Sequence, residues 1–315
     1  MRHSAASTVS AAPPDLVPSA LASVRAGGKR ALAEALAGLE ADPDGTAGLL
    51  DQAYAAPLGQ VIGLTGPPGV GKSTLTGSLI RAWRGAALTV GIIAVDPSSK
   101  ISGGALLGDR TRLRADPGDA GVFIRSMAAR DRLGGLADLT VASMVLMRAV
   151  FDRVLIETVG VGQSETDVAG AADTVVLCLQ PGSGDSLQFM KAGIVEIPHI
   201  LVVTKSDMGE AAARARADLA SALDLRDRFA GDWQPAALGL SALNGEGVEA
   251  LVEAIERHGR FIAPDLAARR HDQARHWLAA SIKERWGSEG LRRLGPIDLP
   301  PGCSPFRRLA ELGRP

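Results

Sequence analysis

The most regular feature of the chain is an alternation of short apolar runs with longer stretches of helical periodicity between residues 60 and 262. Apolar runs of roughly four to eight residues, bounded by turn residues, are typical of buried strands. They predict strands at 60–65, 88–95, 121–126, 153–158, 174–180, 199–204 and 236–240. Helices are predicted at 73–83, 134–150, 209–222 and 247–259, the last of which follows the final strand. This alternation indicates an α/β fold with a mostly parallel central sheet covered on both faces.

The regions outside this alternation have a different pattern. Residues 1–14 are rich in Ala and Ser, contain no acidic residue and are expected to form a disordered tail. Residues 15–57 alternate Leu and Ala clusters with charged residues, which predicts a helical N-terminal extension with a turn at 42–45. The α/β domain is therefore expected to occupy 58–262, and residues 263–315 form a further C-terminal region.

The C-terminal region 263–315 begins with an apolar stripe at helical spacing. Its members are Ala274, Trp277, Leu278, Ser281 and Ile282. Such a stripe buries one face of a helix against another surface. Two interpretations stay open, a helix docked on the α/β domain and a contact with a second subunit or partner.

A phosphate-binding motif stands between the first predicted strand and the first predicted helix. Its residues are Gly66, Pro67, Pro68, Gly69, Val70, Gly71, Lys72 and Ser73, with the spacing G-x-x-x-x-G-K-[ST]. The glycines let successive backbone N–H groups point at an anion. Lys72 can reach the β- and γ-phosphates of a nucleotide, and the Ser73 hydroxyl can ligate Mg²⁺. A chance match on a surface turn is the alternative, but the strand and helix on either side favour phosphate binding.

Acidic residues follow two other predicted strands. Asp96 ends the second strand and can hold Mg²⁺ or its water shell, although Asp-Pro alone is an ordinary turn. Glu157 ends the fourth, where a carboxylate is costly unless it is paired with metal or water. Between them, 102–113 is glycine-rich and then charged. There Asp109 could reach the metal and Arg110 or Arg112 a phosphate, unless this is a surface loop with ordinary salt bridges.

Gly160 and Gln163, which follow Glu157 in the chain, have candidate roles in nucleotide hydrolysis. Gly160 lies three positions further on, where its N–H could meet a γ-phosphate, as in the second switch of GTPases. Gln163 could orient the attacking water.

The sixth predicted strand leads into Thr204-Lys205-Ser206-Asp207, which matches the guanine-selective pattern [NT]-K-x-D. The Asp207 carboxylate can accept hydrogen bonds from the ring N1–H and the exocyclic amine of guanine, a donor pair that adenine lacks. Ser241 and Ala242 follow the last predicted strand, and their N–H groups could reach the guanine oxygen. A solvated turn is the alternative interpretation of the tetrapeptide.

Composition narrows the function classes. The 315 residues include 34 basic and 35 acidic side chains, a net charge of −1, so no broad attraction to nucleic acid or to an anionic membrane is expected. No apolar stretch approaches the roughly 20 residues of a membrane-spanning helix. The two cysteines form neither a Cys-x-x-Cys site nor a disulfide framework, which fits a reducing, cytoplasmic location. A transit peptide within 1–14 is the alternative.

Taken together, these motifs resemble those of the MeaB/ArgK-type P-loop GTPases, which are G-protein chaperones of adenosylcobalamin-dependent acyl-CoA mutases. The matching segments are 66–74, which adds Thr74 to the P-loop, 96–99, 102–104, 108–112, 157–165 and 204–207. The most specific of these is 157–165. In one departure, Thr204 stands where the family usually has Asn, which can bridge to both the P-loop and the base.

The resemblance implies a P-loop NTPase domain with a helical N-terminal extension and a C-terminal dimerisation arm. It implies GTP and GDP as ligands, Mg²⁺ as cofactor, a homodimer, and slow GTP hydrolysis that a mutase partner accelerates. Catalysis would then involve Lys72, Glu157, Gln163 and Arg112. The metal would lie near Ser73, Asp96, Asp109 and Glu157. A mobile segment would use Asp185, Gln188 and Lys191 to link partner contact to the nucleotide site.

Three other functions stay open on the residues themselves. A nickel-enzyme metallochaperone GTPase would share the fold class but needs a Cys/His cluster, and the five histidines are scattered. A transport-associated ATPase or kinase would not need the guanine selectivity that Asp207 suggests. A GTP-sensing binding module with negligible turnover would share all the motifs.

Overall fold

A computed structural model describes residues 19–43, 45–97, 116, 118–129, 138–158, 168–182, 198–226 and 233–313. Within these ranges a seven-stranded sheet forms the centre of the molecule. Its strands are β1 (Gln60–Thr65), β2 (Val90–Pro97), β3 (Val122–Ala129), β4 (Arg153–Glu157), β5 (Thr174–Leu179), β6 (Ile200–Val203) and β7 (Ala236–Gly239). No helix of the described ranges is both long enough and apolar enough to cross a membrane.

The strand order is β3-β2-β4-β1-β5-β6-β7, and every pair of neighbours is parallel. Each predicted strand is present, with its ends shifted by at most a few residues. The predicted α/β class with a mostly parallel sheet is therefore confirmed. Since all strands run in one direction, the ends of β1, β4, β5 and β6 meet at one edge, where ligands bind in such sheets.

The helices of the described residues surround this sheet. They are α1 (Ala20–Ala26), α2 (Gly28–Ala41), α3 (Ala47–Ala55), α4 (Lys72–Gly85), α5 (Asp138–Arg148), α6 (Glu210–Arg226), α7 (Val248–Ile262), α8 (Leu266–Leu294) and α9 (Pro305–Leu312). Four of them, α4, α5, α6 and α7, are the helices predicted for the region 60–262.

Neighbouring residues of one strand point to opposite faces of the sheet, as the pleat requires. Val61 belongs to the core on the face covered by α5 and the N-terminal helices, whereas Ile62 belongs to the core beneath α4 and α7. In β4, Val154 and Ile156 share the face of Val61, and Leu155 shares that of Ile62. Burial on both faces explains why the strands show continuous apolar runs.

The N-terminal extension contains three short helices, α1 to α3, that pack on α5 and on one another. The predicted turn lies between α2 and α3, where the Gly45 N–H donates to the Asp42 side chain over 2.9 Å. Helicity in this region is thus confirmed, while its separation from the α/β domain stays a prediction.

The C-terminal helix α8 is docked on the rest of its own chain. Leu278, Ser281 and Ile282 are fully buried, and the Ser281 hydroxyl donates to Asp138 of α5 over 2.6 Å. The apolar members Ala274, Leu278 and Ile282 pack with Leu299 and Leu309, so the stripe is buried within this chain. A contact of this region with a second subunit stays a prediction. Gly287 has φ of 70°, which interrupts the regular helix near its C-terminal end.

Two polar side chains of α8 fix its position. Arg270 holds the buried carboxylate of Asp173 through two hydrogen bonds, from Nε over 2.8 Å and from Nη2 over 2.6 Å. Gln273 donates to the backbone oxygens of Ala169 and Ala172. Helix α8 thus holds the turn that precedes β5.

Candidate nucleotide-binding site

The P-loop residues form a tight turn between β1 and α4. Gly66 has φ of 139°, and a Cβ at this position would lie 2.1 Å from the Cys178 backbone oxygen of β5. Gly69 and Gly71 also have positive φ values, 75° and 99°, which side chains rarely tolerate. Only glycines allow this path, because the loop both reverses direction and runs close to the neighbouring strand.

Lys72 is the first residue of α4, and its side chain folds back over the loop. Although it is charged, it is only 7% exposed. Its ammonium donates to the backbone oxygens of Gly66 over 2.6 Å and Pro67 over 3.0 Å. The positive charge therefore lies beside the N-terminus of α4, where the helix dipole and the unpaired N–H groups already favour an anion.

Glu157 connects the end of β4 to two hydroxyl groups of α4. The Ser73 hydroxyl donates to its Oε1 over 2.6 Å, and the Thr76 hydroxyl donates to its Oε2 over 2.7 Å. The residue is only 5% exposed, so both carboxylate oxygens gain partners that offset the cost of burial. Ser73 and Thr76 lie three residues apart on one face of α4, which lets a single carboxylate bind both.

These oxygens suit a hard divalent cation. Mg²⁺ prefers carboxylate and hydroxyl oxygens and usually keeps several waters. Ser73 and Glu157 place both ligand types within hydrogen-bonding distance at the strand end. The donor set therefore fits Mg²⁺. No group of three or more His, Cys, Asp or Glu side chains within the described ranges, at this site or outside it, is arranged to hold a metal.

The tetrapeptide that follows β6 is tied to the P-loop. The Thr204 hydroxyl lies 2.7 Å from the Val70 backbone oxygen and 3.0 Å from that of Leu179. Its single O–H is therefore shared between these two acceptors. The Lys205 ammonium donates to the Gly69 oxygen over 3.0 Å. Thr204 therefore keeps the link to the P-loop that an Asn would make, and the departure from the usual Asn does not disconnect the two segments.

Asp207 and the segment after β7 border the same place. Asp207 is exposed in a short 3₁₀ turn, Ser206–Met208, which is anchored by a 3.0 Å hydrogen bond from the Ser206 N–H to the Leu240 oxygen. The Ser241 N–H already donates to the Glu246 oxygen over 2.9 Å. Of the two N–H groups predicted to meet guanine, that of Ala242 is therefore the better placed. The Ala242 oxygen accepts from Ser78 of α4 over 3.1 Å.

Several predicted site residues cannot be placed. The backbone of Asp96 lies at the end of β2, next to the end of β4, but its side chain lies outside the described part of the structure. The same applies to the whole of Asp109, Arg112, Gly160, Gln163, Asp185, Gln188 and Lys191. Their roles stay predictions. The remaining predicted residues, including Pro68 and Thr74, lie along the P-loop, at its helix and at the ends of β4, β6 and β7.

The structure adds two residues that sequence reasoning missed. Thr76 shares the Glu157 carboxylate with Ser73, and its position one helical turn later was an available signal. Gln180, at the end of β5, accepts from the Lys205 ammonium over 2.7 Å. No motif marks Gln180, and only the adjacency of β5 and β6 brings it to the site.

Three features meet at one edge of the sheet: a P-loop between strand and helix, a carboxylate bonded to the P-loop serine, and a guanine-type tetrapeptide. They define a P-loop nucleotide-binding protein. The model of the family Methylmalonyl Co-A mutase-associated GTPase MeaB matches residues 32–290. The chain belongs to this family of GTPases.

Relatives extend over most of the chain. A Pyrococcus abyssi protein named as a GTPase is 39% identical over 310 residues, covering 92% of this chain and 94% of its own length. The mitochondrial methylmalonic aciduria type A homolog of Mus musculus is 40% identical over 233 residues, covering 72% of this chain and 56% of that protein.

Solved structures share the fold. One described as a LAO/AO transport system kinase has a TM-score of 0.69 and 28% identity, and covers 96% of this chain and 99% of its own. The HypB protein of Helicobacter pylori, solved with nickel, has a TM-score of 0.50 at 16% identity and covers 69% of this chain and 94% of its own. The second likeness concerns the fold alone.

Proposed function

We propose that this protein is a Mg²⁺-dependent GTPase that acts as a chaperone of an adenosylcobalamin-dependent acyl-CoA mutase. One observation carries the nucleotide part of the proposal. Thr204 and Lys205 are hydrogen-bonded to the oxygens of Val70 and Gly69, so the guanine tetrapeptide and the P-loop form one connected unit. A ligand that spans both needs a base and a polyphosphate, as GTP does.

The phosphate end of GTP would meet positive charge and backbone N–H groups. Lys72 lies over the loop and would neutralise charge that develops on the transferred phosphoryl group. Mg²⁺, when bound, would supply positive charge next to the phosphate oxygens. Ser73 and Glu157 would hold this ion, directly or through water, with Asp96 a further candidate. Catalysis would then consist of positioning and electrostatic stabilisation, with no covalent protein intermediate.

The base end would be selected by Asp207. Its carboxylate is exposed and free to accept two hydrogen bonds from guanine, and an adenine base would leave it without these donors. The Ala242 N–H would approach the guanine oxygen, and the Lys205 side chain, fixed by Gly69 and Gln180, would lie along the base.

The mutase part of the proposal is supported by the family and by the mouse relative, whose names refer to methylmalonyl-CoA mutase and to methylmalonic aciduria. We propose that the mutase stimulates slow intrinsic hydrolysis, that Gln163 and Arg112 assist it, and that Asp185, Gln188 and Lys191 transmit partner contact. We also propose a homodimer formed through the C-terminal region 263–315.

The test is GTP hydrolysis by the purified protein with Mg²⁺, measured alone and with candidate adenosylcobalamin-dependent acyl-CoA mutases. We expect a slow basal rate that rises on addition of the partner mutase, with ATP a poor substrate. Hydrolysis of GTP that no candidate mutase changes would leave the GTPase and remove the chaperone role. A preference for ATP would contradict the assignment of Asp207.

A further inference from the structure

A buried arginine outside the nucleotide site has no hydrogen-bonded carboxylate among the described residues. Arg148 ends helix α5 and is only 3% exposed. Its Nε–H has no hydrogen-bond acceptor within the described part of the chain. Burial, and secondly the positive charge of Arg270, lower the pKa of Arg148 to about 10, so the side chain is still charged at neutral pH. A buried charge without a hydrogen-bonded partner strongly destabilises the folded state. A group that balances the charge of Arg148 is therefore expected nearby.

The carboxylate that attracts Arg148 already binds another arginine. Asp173 attracts Arg148 electrostatically, but no hydrogen bond joins the two side chains. Both oxygens of Asp173 accept from Arg270, and Oδ2 also accepts the Val61 N–H over 2.7 Å. This cluster of described side chains therefore contains two guanidinium groups and one carboxylate, a surplus of one positive charge.

A second orphaned donor lies in the wall of the same small cavity. The cavity has a volume of about 20 Å³, and Arg148, Trp277, Tyr54 and Arg270 contribute to its lining. The indole N–H of Trp277 is buried and has no acceptor within the described residues. Burial raises the pKa of Tyr54, so its hydroxyl stays protonated and can donate. Two residues that each have an N–H without an acceptor, one of them charged, thus line the same small cavity.

We propose that this cavity is a binding site for a monatomic anion, chloride under physiological conditions, held by Arg148 and Trp277. The volume exceeds the roughly 10–15 Å³ that one water needs, so one small ion has room in it. A halide supplies the missing negative charge, and its acceptor capacity satisfies both orphaned N–H groups.

The site lies where three parts of the molecule meet. Arg148 comes from α5, Trp277 from α8, and Tyr54 from α3, while Gly170 of the turn before β5 completes the wall. A bound anion therefore links the C-terminal helix to the α/β domain and to the N-terminal extension. The docking of α8 becomes dependent on the anion, since the native state binds it and the unfolded chain does not.

The test compares thermal unfolding in sodium chloride and in sodium gluconate at constant ionic strength, because gluconate is too large for the cavity. We expect the midpoint of the wild-type protein to rise with chloride concentration. In Arg148→Met the rise disappears, because the variant has no positive charge to bind the anion. Its unbranched side chain resembles the arginine stem, so the fold should be retained. In Trp277→Phe it requires higher chloride, because one donor is lost. The same midpoint in both salts, or a chloride effect retained in Arg148→Met, would overturn the proposal.

Trp83 provides a matched control. Its indole N–H is also buried without an acceptor in the described ranges, but it lies in the core on the opposite face of the sheet. Trp83→Phe is expected to keep the wild-type chloride dependence. Should Arg148→Met fail to fold, crystals of the wild-type protein soaked in bromide decide the matter. An anomalous peak beside Arg148 supports the site, and density for water alone overturns it.

Discussion

Ser73 and Glu157 are joined by a 2.6 Å hydrogen bond although 84 positions separate them in the chain. This contact brings the P-loop serine to the carboxylate at the end of β4. It depends on the parallel pairing of β1 with β4, which sets Leu64 opposite Glu157 and places the start of α4 above the strand end. The register of the sheet therefore brings together a hydroxyl and a carboxylate that suit Mg²⁺.

Glu157→Gln is expected to lower the rate of GTP hydrolysis by about a hundredfold, the usual scale for removing one preorganised electrostatic group. The amide lacks the negative charge and cannot accept at both ends from Ser73 and Thr76. The measurement is the hydrolysis rate over a Mg²⁺ titration. Glu210→Gln, on the exposed surface of α6, is the matched control. Equal rates for the two variants would contradict the assigned role.

Thr204→Val is expected to weaken nucleotide binding and to destabilise the fold by about 1–3 kcal/mol, because the buried Val70 oxygen loses its donor. Thr204→Ser keeps the hydroxyl and should retain most of both properties. Fluorescence titration with a labelled GDP and urea unfolding check the prediction. Equal affinity in the Val and Ser variants would show that the hydrogen bond from Thr204 to the P-loop does not contribute to nucleotide binding.

Asp207→Asn is expected to reverse the preference between GTP and XTP. An Asn side chain offers one donor and one acceptor, which complements xanthine, whereas guanine presents two donors that need a carboxylate. Competition binding with GTP, XTP and ATP measures the change. Asp272→Asn, on the exposed face of α8, serves as control. If the variant still prefers GTP, Asp207 does not contact the base.

Arg270→Met is expected to destabilise the protein by about 3–5 kcal/mol, since the buried carboxylate of Asp173 would lose its partner. Arg275→Met removes an exposed ion pair with Asp272 and should cost about 0.5 kcal/mol or less. Urea unfolding of both variants measures the difference. Similar losses would mean that the Arg270 pair adds no more stability than a surface pair.

The pH dependence of stability should contain a contribution from His258. Burial, and secondly the nearby His199 and then Arg269, lower the pKa of His258 from 6.5 to about 3. The native state therefore keeps the ring neutral while the unfolded chain takes up a proton, so stability falls as the pH drops from about 6.5 towards 3.

His258→Gln should flatten this decline, which for one proton amounts to at most about 1.4 kcal/mol per pH unit. The free energy of unfolding is measured across this pH range for both proteins. An identical pH profile would show that other groups cause the decline. His276→Gln, on the exposed side of α8, controls for the loss of a histidine as such.

The sequence by itself determined the alternating elements and the contiguous motifs. Strands such as β1 and β5 are buried on both faces, and continuous burial produces an apolar run that can be recognised without a structure. The P-loop could be located in the same way, because its glycines, Lys72 and Ser73 act within one turn of chain.

Only the tertiary structure decided which distant residues meet. The pairing of Glu157 with Thr76, of Thr204 with Val70, and of Arg270 with Asp173 joins segments that no local pattern connects. The Ser241 N–H was predicted for guanine and is bonded to Glu246, a contact set by the path of the turn after β7. Local periodicity encodes burial and element type, whereas side-chain partners follow from the order and register of strands, which depend on the packing of the whole chain.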